Sequence, residues 1–113
     1  MKKFVVLYHA PDELLAKSSN ANTEEMEKGM EAWMAWAKKC GDQLIDLGNP
    51  LSNGEKLLSA GGSEKSNRGV CGYSIVQANN LEEAKGLLTD HPHLLWNGAC
   101  EIEIHEVTPL PGS

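Results

Sequence analysis

Residues 3–9, KFVVLYH, narrow the available folds more than any other segment of this chain. β-branched and aromatic side chains crowd it and Pro11 follows it, so it reads as a strand. Successive side chains of a strand point to opposite faces. Here Phe4, Val6 and Tyr8 share one face, while Val5 and Leu7 hold the other. A strand apolar on both sides must be covered on both sides.

The following segments supply one layer of cover. Residues 22–41 predict a long helix: Asn22 or Thr23 caps it, glutamates fill its first turn, lysines its last, and Gly41 stops it. Met26, Met30, Trp33, Ala37 and Cys40 recur at helical spacing and predict its inward face, with Gly29 and Trp36 beside them. Ahead of it, residues 12–22 predict a polar connection in which Leu14 and Leu15 can give a short turn of helix. Beyond it come a short strand around residues 44–47, a turn at GNP and a second strand piece at residues 55–59. Residues 61–69, GGSEKSNRG, predict a flexible loop, without the G-x-x-x-x-G-K-[ST] spacing of a phosphate cradle. Residues 71–78 predict another strand. Residues 79–92 predict a helix with Leu81, Ala84, Leu87 and Leu88 inward and Pro92 setting its end. Residues 100–107, CEIEIHEV, alternate strictly.

The resulting order, β-α-β-β-α-β, predicts an α+β fold of the ferredoxin-like kind: a four-stranded antiparallel sheet with its helices on one face. Residues 1–108 form a single domain and residues 109–113 a C-terminal tail. No third long helix remains for the second face of the first strand. A second copy of the chain, sheet against sheet, is the economical cover, so a homodimer is expected.

Composition limits the function. A net charge of −6 argues against nucleic acid, whose phosphates call for clustered Lys and Arg. No segment approaches the ~20 apolar residues that span a bilayer, and the opening apolar stretch falls short of a signal peptide's core. Three cysteines, an odd count without C-x-x-C spacing, suggest reduced thiols. A cytoplasmic protein without membrane or nucleic-acid partners is expected. Cys40 and Cys100 fall on core faces; Cys71, next to the flexible loop, is the one thiol worth testing.

Polar chemistry gathers in two places. Residues 90–96, DHPHLLW, place His91 and His93 around Pro92 at the expected end of the second long helix, where a cationic imidazole complements the helix dipole. On the last strand Cys100, Ile102 and Ile104 take the helix side, so Glu101, Glu103 and His105 share the opposite face. His9 closes the first strand with Asp12 three residues on. For acid–base work the candidates are His91, His9 and Glu103, with His93, His105, Glu101 and Asp12 as pocket residues. A metal site drawn from His91, His93, Glu103 and His105 is the third possibility, but H-P-H lacks the i, i+4 spacing of helical metal pairs, so no metal is expected.

MKKFVVLYHAPDE, GNPL, GYSIVQANNLEEAKGLL and the proline-containing link into IEIHEV, taken in order over residues 1–108, resemble the YCII-related domain. That resemblance implies a dimeric α+β barrel, usually without an organic cofactor. It also implies a small-molecule pocket and, in some members, a His–Asp pair for cofactor-free lyase or isomerase chemistry. The family's Asp-Pro stands here as His91-Pro92, and its first-helix histidine has no counterpart. The resemblance therefore allows two outcomes: an acid–base enzyme, or a ligand-binding or interaction protein that keeps the fold without that pair.

Overall fold

The computed structural model describes residues 1–18 and 22–112. It is an α+β protein built on a four-stranded antiparallel sheet, ordered β2-β5-β1-β6, consistent with a ferredoxin-like fold. The strands are β1 (Lys2–His9), β2 (Leu44–Asp46), β5 (Val70–Ala78) and β6 (Glu101–Glu106). Between β2 and β5 the chain adds a separate hairpin, β3 (Glu55–Leu57) and β4 (Ser63–Lys65). The second strand piece is thus one arm of that hairpin, and part of the expected loop is its other arm.

β1 lies at the centre, flanked by β5 and β6. The helices are α1 (Asp12–Ser18), α2 (Thr23–Cys40), α3 (Leu81–Leu87) and α4 (Pro92–Trp96). Asn22 caps α2 by accepting from the Glu25 N–H at 2.8 Å, as its side chain and position require. Within the connection expected over 12–22, α1 is longer than the short turn its leucines suggest, and residues 19–21 lie outside the described part.

The core forms where the helices meet one face of the sheet. Phe4, Val6, Tyr8, Val76 and Ala78 from the strands meet Trp36, Cys40, Ala84 and Leu88 from the helices. Ile102 and Ile104 pack against that cluster from β6, as their alternation predicts. A polar chain runs through it. Tyr8 donates its hydroxyl to Ser74 Oγ at 2.7 Å, and Ser74 donates to the Leu47 carbonyl at 2.6 Å. Each group has a partner, which lets the polar atoms stay buried. Burial pushes the Tyr8 phenol up to about 12.

On the opposite face Val5, Leu7, Tyr73 and Ile75 stay half-buried. The whole molecule measures 45 × 44 × 20 Å. Its short dimension suits one sheet and one helix layer, since packed layers lie ~10 Å apart. No helix of the described residues is long and apolar enough to cross a membrane.

Two expectations need correction, beside that for Leu81, which was expected inward and is 43% exposed. Met26 and Met30 do not join the inward face of α2; they are 59% and 58% exposed. Trp33 and Cys40 turn inward as the spacing predicts and Trp36 is buried with them, so the buried stripe follows the large rings and the methionines fall to one side. The second correction concerns DHPHLLW. α3 ends at Leu87, Asp90 takes a left-handed turn at φ 58°, and Pro92 opens α4 rather than closing a helix. Proline suits a first helical position, where its missing N–H would be unpaired anyway.

Candidate functional site

Because α4 starts at Pro92, His91 becomes its N-cap. The His91 Nδ1 accepts from the His93 backbone N–H at 2.9 Å. Its proton therefore sits on Nε2, which is enclosed and has no hydrogen-bond partner among the described residues. The ring is fully buried, 4.4 Å from the Trp36 ring and 4.6 Å from that of Trp33 between centroids. Burial, reinforced by His93, holds its pKa down at about 4. His91 is thus a neutral cap in an aromatic box, and dipole compensation at a helix end does not account for it.

His93, two residues on, lines a cavity of about 1430 Å³ between the helices and the sheet. α1, α2, α4, the 50–54 turn and the start of β5 border this half-open space. Leu14, Met26, Trp33, Leu51, Leu95 and Trp96 provide apolar wall. Trp33 is placed by edge contact with Tyr8 at 4.8 Å, and Trp36 is fixed behind it by donating Nε1–H to the Leu87 carbonyl at 2.8 Å. The His93 Nε2 donates to the His9 carbonyl at 2.8 Å, and the Glu101 backbone also engages the ring. Burial lowers the His93 pKa, so this imidazole is neutral at pH 7.

A bulge brings Cys71 to the same cavity. Tyr8 pairs with Gly72 but His9 with Val70, so Cys71 is the extra residue in β5. It lines the cavity, packs against the core and directs its thiol to the Tyr8 carbonyl at 3.4 Å. Burial, then neighbouring Cys100, raises its pKa and keeps it a thiol. Cys40 and Cys100 are buried, as their positions predict.

The second cluster lies on the open face of the sheet. His9 donates Nδ1–H to the Arg68 carbonyl at 2.7 Å, while its Nε2 stands 3.5 Å from Glu103 Oε2. The other Glu103 oxygen accepts from His105 Nε2 at 2.8 Å. That hydrogen bond, followed by the nearby His9, holds the Glu103 carboxyl below its ordinary range. Glu101 pairs across the ladder with His9, and both line a recess of about 250 Å³ with Asp12 and Arg68.

The sheet thus divides the sequence candidates. His9, Glu103 and His105 come together, with Glu101 and Asp12 beside His9. His93 and the enclosed His91 stand across the sheet from them. The four donors considered for a metal are split by it, and no group of three or more His, Cys, Asp or Glu side chains among the described residues is placed to hold a metal ion. Sequence reasoning assigned Trp33 to the core stripe and passed over Trp96 as a cavity wall. The available signal was H-P-H itself, since proline at the second position marks a helix start and puts Trp96 one turn beyond His93. No protein-family model matches the chain, and a search of curated proteins found no match.

Proposed function

We propose that this is a homodimeric, ferredoxin-like protein of the YCII-related type that binds a small organic molecule in the cavity of each subunit. The cavity carries the reading. Its volume of about 1430 Å³ exceeds the ~300–1,000 Å³ of most small-molecule sites, and it joins apolar wall to a neutral imidazole and an indole. Such a wall favours a largely apolar, flat ligand. The dimer reading rests on Val5, Leu7, Tyr73 and Ile75, which leave a half-exposed apolar strip on the open face of the sheet beside the His9, Glu103 and His105 cluster. Sheet-to-sheet pairing would cover it and complete a dimeric α+β barrel.

Ligand-observed NMR against a fragment library tests the binding reading, with Trp96→Ala as the control. Fragments that bind the wild type and lose affinity in Trp96→Ala support it. Fragments indifferent to that change, or no binding fragments at all, refute it.

Acid–base catalysis is the second reading, favoured by the geometry of His9. A backbone carbonyl orients its Nδ1–H and turns Nε2 towards the ionised Glu103 carboxylate, 3.5 Å away and with no hydrogen bond between them, so a bound ligand or one water would have to bridge the pair. Sheet-to-sheet pairing would enclose this pair. His91, a fully buried cap, would then act through α4 by placing His93. Conversion of a bound fragment, followed by NMR and abolished by Glu103→Gln, would establish this reading; unchanged turnover in that variant would end it.

A further inference from the structure

The hairpin β3–β4 has no evident structural purpose in the subunit. Its two strands pair only with each other, and two-stranded hairpins are marginal alone. Its register is informative. Glu55 pairs with Lys65 and Leu57 with Ser63, so these four side chains share one face. Lys56 and Glu64 hold the other face, joined by an ion pair at 3.7 Å. Lys65, at the foot of the face that also carries Leu57, lines the cavity, whereas Leu57 itself stands clear of it. Leu57 is 85% exposed, and Leu95 on the α4 wall is 70% exposed. One exposed leucine thus stands on the hairpin and another on the α4 wall.

The connections at the base of the hairpin are short. Below it the chain is anchored: Leu51 N–H donates to the Cys71 carbonyl at 3.0 Å, Ala10 N–H to that of Gly69 at 2.9 Å, and His9 holds the Arg68 carbonyl. Between these anchors and the strands lie only residues 52–54 and 66–67. Asn53 there has a φ of 57°, and Gly54 follows it. The Ser66 N–H donates to the Gly54 carbonyl at 2.8 Å, tying the two arms together so that they can move as one.

Resting on the reading of the cavity as a ligand site, we propose that the β3–β4 hairpin is a flap that closes over the bound molecule and brings Leu57 onto it. Closure would bury the exposed leucines of both rims and shut the ligand off from water. It would also give the hairpin the packing it lacks when open.

The test uses the fluorescent apolar anion 1-anilinonaphthalene-8-sulfonate with the full chain. Hydrogen exchange at residues 55–58 and 63–65 is measured with and without saturating dye, and affinity is compared for wild type, Leu57→Asn and Trp96→Ala. Exchange should slow on binding. Leu57→Asn, which adds no charge against the anionic dye, should weaken it by about tenfold, the scale of losing one buried leucine contact, with thermal unfolding unchanged because the position is exposed. If the dye depends on Trp96 while hairpin exchange and Leu57→Asn affinity stay at their starting values, the flap is refuted and the cavity reading stands. If the dye does not bind, or binds regardless of Trp96, both fall together.

Discussion

Acidification should destabilise this protein well above the pH at which carboxylates titrate, and His91 should be the main cause. In the folded chain its ring is buried and neutral, with a pKa of about 4; in the unfolded chain it returns to ~6.5. Below ~6.5 the unfolded state therefore takes up a proton that the folded state refuses. The stability from this residue is complete above that pH and drains away as pH falls towards 4. Linkage over this interval gives a loss of roughly 2 kcal/mol between pH 7.5 and pH 5 from His91 alone. His93, lowered in the same direction, adds to it. Glu103 does not interfere, because a lowered carboxylate loses its contribution only below its ordinary range near 4.5. The assay is urea unfolding at the two pH values for wild type and His91→Asn. Asparagine can still cap α4 but does not titrate, so the variant starts less stable at pH 7.5 and then loses about 2 kcal/mol less on acidification. Equal losses in the two proteins would show that His91 is not held neutral by the fold.

Three further outcomes follow from the same structure. Ser74→Ala should cost about 1–3 kcal/mol in urea unfolding, because it orphans both the Tyr8 hydroxyl and the Leu47 carbonyl; Tyr8→Phe, which spares the bond to Leu47, should cost less. Gly48→Ala should abolish or severely reduce folding by circular dichroism, since its Cβ would sit 1.7 Å from the Tyr73 carbonyl oxygen at a φ of 80°. Gly86→Ala in α3, with nothing within 4 Å, should instead stabilise by about 0.5–1 kcal/mol. Leu7→Lys on the open sheet face should turn a dimer into a monomer in sedimentation equilibrium, and a wild type that is already monomeric would remove the sheet-to-sheet reading.

The strands of the main sheet and the long helix were legible because their patterns are local. Alternation in residues 100–107 assigned Ile102 and Ile104 to the core and Glu103 and His105 to the other face, and the structure agrees. α2 was legible in its ends but not fully in its facing. Periodicity alone does not say whether a methionine or a tryptophan centres the buried stripe, and the wider rings take it. α4 was not foreseen, because Pro92 was given as the end of the preceding helix and proline carries two meanings, stop and start. The left-handed turn at Asp90 decides between them, and a single aspartate does not announce that conformation. The hairpin was half seen, since its polar second arm lacks β-branched residues. Of the cavity only two lining residues, His93 and Asp12, were named as pocket residues from the sequence. It is assembled from α1, the 50–54 turn and α4, segments far apart in sequence whose meeting depends on tertiary packing.

The bulge at Cys71 has a consequence for how the chain tolerates change in length. Up to Tyr8 and Gly72 the two central strands march in step; at His9 and Val70 they are out of step by one residue. Every substitution leaves that offset in place. Removing Cys71 itself would let β1 and β5 pair without interruption and would take a thiol from the cavity wall. It would also draw in the segment that leads back through Gly69 and Arg68 to the hairpin. Substitutions here adjust the lining of the hollow, whereas the count of residues between Gly69 and Gly72 governs the hollow's outline.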